Sequence, residues 1–176
     1  ETENVTRKWL DNDFYVVTFS ANYLKNKTRL DFGMLFSKYI GDHFGTLIWA
    51  QNVGDILPRR RFYENQGAKR EINIFAKIEQ PITEKLKSFI DFQYRTVNYD
   101  VNGQIAGPML FNVESNYKFF NPKAGVTYKL SNDQQFYFSY SKAQREPSRS
   151  DFENGNPKPE ILNDFELGWR INKNQF

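Results

Sequence analysis

Hydrophobic and polar residues alternate with a period of two over most of the chain. Residues 164–172 show this best, because Phe165, Leu167, Trp169 and Ile171 alternate with acidic, basic and amide side chains and one glycine. Such alternation places successive side chains on opposite faces of a β-strand. No segment has a convincing helical periodicity, so the sequence predicts an all-β protein of about seven strands. The six earlier strands are predicted at 14–24, 28–40, 69–78, 86–99, 119–130 and 135–143.

The predicted strands are joined alternately by short turns and long connections. Because strands joined by tight turns are antiparallel, the sequence predicts an antiparallel meander with all short connections at one end. Strands of about ten residues with one apolar face, joined in this way, are typical of outer-membrane β-barrels. The short turns are predicted at 25–27, 81–85, 131–134 and 172–175, and the long connections at 41–68, 100–116 and 145–163.

Two other architectures also fit the alternation. A soluble or surface-exposed β-sandwich, serving as a binding module for glycan or protein, would bury its apolar faces between two sheets. A small self-contained membrane barrel would need an eighth strand. Two features favour the larger barrel: acids and bases are mixed on the polar face of nearly every strand, and tyrosines and Trp169 cluster toward the predicted strand ends.

Composition excludes several classes of protein. Aromatic residues make up 17% of the 176 residues, which is far too many for a disordered chain. The absence of cysteine excludes disulfides and thiolate metal sites, and His43 is the single histidine. The 24 basic and 21 acidic residues are interleaved, whereas nucleic-acid binding needs a concentrated basic face. No run of apolar residues is long enough for a transmembrane helix, and no signal peptide is visible.

Six segments, spread in order over nearly the whole chain, carry a family resemblance. The last is the most specific, because it combines Arg-x-Pro, a loop, Asn-Pro, Pro-Glu and a strand within residues 145–170. Together the segments resemble TonB-dependent outer-membrane receptors, particularly the Bacteroidetes type. They are RKWLDNDFY (7–15), GDHFGTLIWA (41–50), INIFAKI (72–78), FQYRTVNY (92–99), FFNPKAGVTYKL (119–130) and FYFSYSKAQREPSRSDFENGNPKPEILNDFELGWR (136–170).

This resemblance implies a 22-stranded transmembrane barrel in the outer membrane, plugged by an N-terminal domain that also contacts TonB. We therefore expect residues 1–176 to be an internal segment of the barrel domain, without the plug and the remaining strands. Such a segment has open sheet edges and an exposed apolar face, so we expect it to self-associate in isolation. In the intact receptor the lipid-facing side chains would be Phe136, Phe138, Phe165, Leu167 and Trp169, and the lumen-facing ones Arg95, Lys123, Asp164, Glu166 and Arg170.

The family function is energised import of a scarce nutrient such as a ferric siderophore, with no bond made or broken and no cofactor. The expected partners are that small-molecule chelate, TonB, and outer-membrane lipid and lipopolysaccharide, and not nucleic acid. Arginines could pair with an anionic chelate and aromatic rings could stack on it. The candidate ligand contacts are His43, Trp49, Arg59, Arg60, Arg61 and Tyr63.

These candidates have simpler alternative explanations. The three arginines could belong to a solvated loop or contact lipopolysaccharide, and a lone histidine such as His43 is more often structural than a haem ligand. Haem-uptake members of the family have a histidine between the two motifs at 145–160, and this chain has none. Arg145 and Glu146 are expected to order the loop that follows them.

Catalysis has little support in the sequence. The carboxylate pairs Asp151 with Glu153 and Asp164 with Glu166 are close enough for a glycosidase, since residues two apart on a strand lie about 7 Å apart. No surrounding cleft is indicated, however, and phosphate-binding and serine-nucleophile motifs are absent from the sequence. We therefore expect a transporter and no enzyme.

Overall fold

The structure is a computed structural model that describes residues 3–52, 59–104 and 110–172. Its strands form one seven-stranded sheet in sequential order, β1 to β7. This confirms the predicted all-β antiparallel meander. The elements are β1 (Asn4–Lys25), β2 (Thr28–Ala50), β3 (Arg61–Pro81), β4 (Leu86–Gln104), β5 (Leu110–Lys129), β6 (Gln134–Arg145), α1 (Arg149–Glu153) and β7 (Glu160–Ile171).

Each of the first five strands is longer than the sequence predicts, by about twofold in β1 and β3 and by less in the others. They contain 19 to 23 residues each, and two of the predicted long connections shrink to 51–60 and 105–109. The predicted boundaries were wrong because they rest on regular apolar alternation, whereas the strands continue where that alternation becomes irregular, as around Leu47, Ile48 and Trp49 of β2. The third long connection, 146–159, contains the short helix α1, which the periodicity did not indicate. Of the turn predicted at 172–175, all but the first residue lies outside the described residues.

The described residues divide into two compact units, each containing parts of several strands. The first comprises Glu1–Val17, Phe36–Glu71 and Val97–Asn116, and the second comprises Thr18–Leu35, Ile72–Thr96 and Tyr117–Phe176. Large buried hydrophobic side chains are few in both. Among the described residues they are Val97, Val101 and Phe111 in the first unit and Phe119 in the second.

Within the second unit, the register of β5, β6 and β7 decides which side chains share a face. Val126 lies opposite Phe138, and Phe138 opposite Leu167, so these three belong to one face. That face is the more exposed one, with Leu167 80% exposed and Phe138 45% exposed. No second sheet covers it within the described ranges, so the β-sandwich architecture is wrong for this chain. The apolar face also includes Tyr128, Phe136, Tyr140, Phe165 and Trp169.

The opposite face of the second unit places aromatic rings against glycines on the neighbouring strand. Tyr137 lies directly opposite Gly168, and a Cβ atom at Gly168 would overlap the Tyr137 ring. Glycine is therefore required here by close approach of a ring, which is a known way of pinning strand register. The same arrangement pairs Phe75 with Gly33 and Phe89 with Gly125.

Candidate ligand-binding cleft

The connection between β2 and β3 begins the candidate site, and it stays hydrogen-bonded to β2. The Arg59 N–H donates to the carbonyl of Leu47 at 2.9 Å, and the Leu47 N–H donates to the carbonyl of Arg60 at 3.3 Å. Arg59 itself has a φ of 68°, a left-handed conformation that turns the chain into β3. These bonds fix where the consecutive arginines at 59–61 point.

A cleft of about 610 Å³ lies beside these arginines in the first unit. Its volume is within the range of small-molecule sites, and it combines two cations with amide, hydroxyl and apolar groups. The lining residues are Asn4, Thr6, Leu47, Ala50, Asn52, Arg60, Arg61, Phe62 and Gln104.

The three arginines have different environments. Arg61 is engaged, because its guanidinium lies 3.8 Å from the centre of the Phe44 ring and is ion-paired with Glu64. Arg60 is exposed, and no carboxylate pairs with it among the described residues. Arg59 is also exposed but does not line the cleft. Arg60 is therefore the cation of the cleft whose charge is most available to an anion.

The other three predicted contact residues do not line the cleft. His43 and Trp49 lie within β2, and Tyr63 within β3, so the prediction that they belong to a loop was wrong. The Tyr63 ring packs edge-on against Phe62, with 5.1 Å between ring centres, and so supports a residue that does line it. No group of three or more His, Asp or Glu side chains that could hold a metal occurs in the described part of the chain.

Sequence reasoning missed the polar residues that complete the cleft. Asn4, Thr6, Asn52 and Gln104 come from three separate parts of the sequence. Single amide and hydroxyl residues have no motif, and only strand pairing brings them together. The extension of β1 and β4 beyond their predicted ends is what places these residues near the β2–β3 connection.

Three of the predicted lumen-facing residues meet in the second unit. Lys123, Glu166 and Arg170 line a shallow cleft of about 220 Å³ together with Ser139, whose Oγ donates to Glu166 Oε2 at 3.3 Å. Asp164 lies outside this lining, opposite Ser141 in the register.

The fifth predicted lumen-facing residue, Arg95, forms a separate and more buried cluster in the same unit. Its Nη2 lies 3.2 Å from Glu146 Oε2, and both side chains are largely buried. The guanidinium also lies 5.8 Å from the centre of the Phe119 ring. Glu146 is the first residue of the β6–β7 connection, so its ion pair with Arg95 attaches the start of this connection to β4. Breaking the pair would be costly, because removing either partner of a buried ion pair leaves an uncompensated charge.

The rest of that connection is held by local polar contacts. Arg145 Nη2 donates to Glu160 Oε1 at 2.7 Å and joins its two ends. The Asp151 carboxylate accepts hydrogen bonds from the Ser148 hydroxyl at 2.7 Å and the Ser148 N–H at 2.8 Å. These bonds favour the charged form and lower the pKa of Asp151 below its ordinary value, the hydroxyl being the larger cause. Glu153 is ion-paired with Arg149, so neither carboxylate of this pair is poised for acid–base chemistry.

The family described as "TonB dependent receptor-like, beta-barrel" matches residues 2–176. The chain belongs to the TonB-dependent receptor β-barrel family. Members of this family are outer-membrane proteins. Comparison with curated protein sequences finds no match.

Solved structures of low sequence identity share the fold. The unliganded ferric citrate transporter FecA is 14% identical with a TM-score of 0.64, over 94% of this chain and 26% of that one. The ferric yersiniabactin uptake receptor FyuA of Yersinia pestis is 12% identical with a TM-score of 0.63, over 96% and 27%. The ferric-catecholate import receptor Fiu of E. coli K12 is 18% identical with a TM-score of 0.63, over 93% and 29%. The chain thus spans between a quarter and a third of the structures it matches.

In the part of the chain that the structure describes, no helix is long and apolar enough to cross a membrane.

Proposed function

We propose that the protein containing this chain is an outer-membrane receptor that binds an anionic ferric chelate and imports it with energy supplied through TonB. The family match supports the receptor class, and the names of the three similar structures each mention a ferric complex or chelate. A 22-stranded barrel, a plug domain that contacts TonB and a Bacteroidetes origin are parts of the same proposal. No bond of the ligand is made or broken in this process.

The observation that carries the proposal is the exposed guanidinium of Arg60 in the first-unit cleft, which no carboxylate of the described residues pairs with. Ferric complexes of carboxylate or catecholate ligands carry negative charge, and a guanidinium forms charge-assisted hydrogen bonds to such oxygens. The amides of Asn4, Asn52 and Gln104 offer further donors in the same cleft, and Phe62 offers a ring for stacking. The cleft therefore suits an anionic, oxygen-rich ligand of moderate size.

Two neighbouring arginines provide the test, because only one of them lines the cleft. The receptor would be purified in detergent as wild type, Arg60→Gln and Arg59→Gln, and titrated with a panel of ferric chelates that includes ferric citrate, a ferric catecholate and a neutral ferric hydroxamate. A charge-assisted hydrogen bond is worth about 1.5–3 kcal/mol, so Arg60→Gln should weaken binding of an anionic chelate by about ten- to a hundredfold. Arg59→Gln should change it by less than about twofold.

Two results would contradict the proposal. Unchanged binding of every anionic chelate by Arg60→Gln would remove the cleft from the ligand path. Equal losses for both variants would show a diffuse charge effect and no defined contact. Uptake of radioactive iron by cells expressing each variant would show whether the binding loss reaches transport.

A further inference from the structure

The second unit contains a separate cleft of about 370 Å³ at the short-turn ends of its strands. It opens on the charged face of the sheet, because one wall is Phe89, whose ring lies against Gly125 in one of the ring-on-glycine contacts. The volume is within the range of small-molecule sites, and the lining combines three cations with hydroxyl and amide groups. The lining residues are Lys27, Arg29, Glu79, Gln80, Pro81, Lys87, Ser88, Phe89 and Thr127.

Two of the three cations have no acidic partner. Arg29 Nε lies 2.9 Å from Asp31 Oδ1, and the carboxylate of Glu79 is ion-paired with Lys77. Lys27 and Lys87 are exposed, and no carboxylate of the described residues forms an ion pair with either of them. These two lysines give the cleft an excess of positive charge.

The backbone at Lys27 is unusual for a lysine. Asn26 has a φ of 47° and Lys27 a φ of 68°, so both residues of the β1–β2 turn are left-handed. Turns of this kind favour glycine at the second position, because a side chain is strained in the left-handed region. The lysine therefore supplies its charge at a cost in stability, which is a feature of functional positions.

Positive charge continues along the short-turn ends of the neighbouring strands. The Lys129 N–H donates to the carbonyl of Lys85 at 2.7 Å, and Lys129 is paired in the register with Gln135, which is paired with Arg170. Lys129 is two residues from Thr127 on β5, so its side chain is on the face that the cleft opens on. Clustered cations at one end of a polar face raise the local concentration of anions there.

We propose that Lys27 and Lys87, together with Arg29, form a second anion site, which takes the anionic ferric chelate as it leaves the barrel interior. This inference rests on the proposed function. In outer-membrane barrels the short turns are periplasmic and the polar face lines the interior, so the cleft lies where an imported ligand emerges. Contacts between exposed charges are weak, and a site on a conduction path must release what it binds. The site therefore binds the chelate more weakly than the cleft of Arg60 does.

The binding test uses the full receptor in detergent, titrated with ferric citrate and with a ferric catecholate by calorimetry. Wild type should show a second, weaker site. Each exposed ion pair is worth up to about fivefold in affinity, so Lys27→Gly/Lys87→Gln should weaken that site by about 10- to 25-fold. The matched control is Lys25→Gln/Lys142→Gln, which removes the same charge outside the cleft and should bind within about twofold of wild type. Arg60→Gln should weaken the first site and keep the second, so failure of the proposed function and failure of this inference give different results.

The single variant Lys27→Gly separates binding from folding. Glycine relaxes the left-handed turn and removes the charge, so the variant should unfold at a higher urea concentration than wild type while its second site weakens by about fivefold. A loss of binding in this variant is then no consequence of a folding defect.

Uptake of radioactive iron by cells tests whether the site lies on the import path. Lys27→Gly/Lys87→Gln should lower the maximal rate of uptake and leave the half-saturating chelate concentration unchanged, whereas Arg60→Gln should raise that concentration. An unchanged maximal rate would overturn the proposal, as would a single binding site in wild type or equal losses in the control. Polyglutamate and inorganic phosphate are the competing probes. Tighter binding of polyglutamate than of the chelate would assign the cleft to an acidic protein segment, and equal binding of phosphate would show that the chelate is not distinguished from other anions; either result would overturn the proposal.

Discussion

Replacing Leu167 by arginine tests which medium covers the apolar face of the sheet. Leu167 is 80% exposed within the chain and stands in the rung formed with Phe138 and Val126. If water covers this face, the substitution should change the free energy of unfolding by less than about 0.5 kcal/mol. If hydrocarbon covers it, the cost of the arginine depends on its depth in the bilayer.

The depth of Leu167 follows from its place in β7. It lies four residues from Ile171, the last residue of the strand, which is about 13 Å along the strand and about 10 Å in depth at a tilt of about 40°. This is close to the middle of an apolar band about 25 Å tall, where an arginine costs about 2–4 kcal/mol. At 3 kcal/mol, the ratio of folded to unfolded receptor should fall by about a hundredfold.

The assay is urea titration of the full receptor in phospholipid vesicles, with the folded fraction read from heat-modifiable migration in gel electrophoresis. Ser141→Arg is the matched control, because Ser141 lies on the opposite face between Lys123 and Asp164 in the register. An arginine there has a carboxylate opposite it, and we expect a cost below about 1 kcal/mol. If Leu167→Arg is as stable as wild type, or if the two variants lose stability equally, hydrocarbon does not cover this face.

Four further results are expected. Gly168→Val forces a side chain into the Tyr137 ring and should cost about 1–3 kcal/mol in urea titration, most of which Tyr137→Ala in the same chain should restore. Glu146→Gln leaves Arg95 without its carboxylate and should make the 146–159 connection cleave faster in limited proteolysis, whereas the exposed Glu160→Gln should have a smaller effect. The pKa of Asp151 is lower in the folded chain than in the unfolded chain, so the stability that its carboxylate gives the connection is complete above about pH 4 and is lost as the pH falls through the lower folded pKa. Limited proteolysis at pH 3 and pH 6 should detect this loss, and Asp151→Asn should remove the difference in cleavage rate between the two pH values. The isolated 176-residue chain should sediment as oligomers without detergent, because β1 and β7 each have one unpaired edge in the described sheet; a monodisperse monomer would contradict this.

The architecture could be predicted from sequence because one face of each strand is almost purely apolar. A row such as Phe165 to Ile171 has a period of two that no helix reproduces, and tight turns then fix antiparallel order. Strand ends were predicted poorly for the same reason. Beyond Ile40 in β2 the alternation weakens, yet the strand continues to Ala50 because backbone pairing does not need an apolar face.

The candidate cleft could be predicted only in part. Consecutive arginines at 59–61 beside Phe62 are visible in the sequence as a charged, aromatic segment. Which arginine is available depends on partners in space: Arg61 is engaged by Phe44 and Glu64, whereas Arg60 is not. The first of these contacts joins positions 17 residues apart in the sequence, and a pattern read along the chain cannot reveal it.

The burial of side chains in this sheet is inverted relative to a water-soluble protein, and this inversion limits what can cover each face. Phe119 is 2% exposed, yet it lies on the same face as Asn121 and Lys123, whereas Leu167 and Phe165 on the apolar face are 80% and 68% exposed. A soluble sheet would bury the apolar face and solvate the charged one. The order seen here is favourable only if hydrocarbon contacts the apolar face and water or further protein contacts the charged one. On the charged face, ion pairs, hydrogen bonds between side-chain amides and contacts of aromatic rings with glycines hold the strands in register. The face that fixes the strand register is therefore separate from the face that contacts lipid.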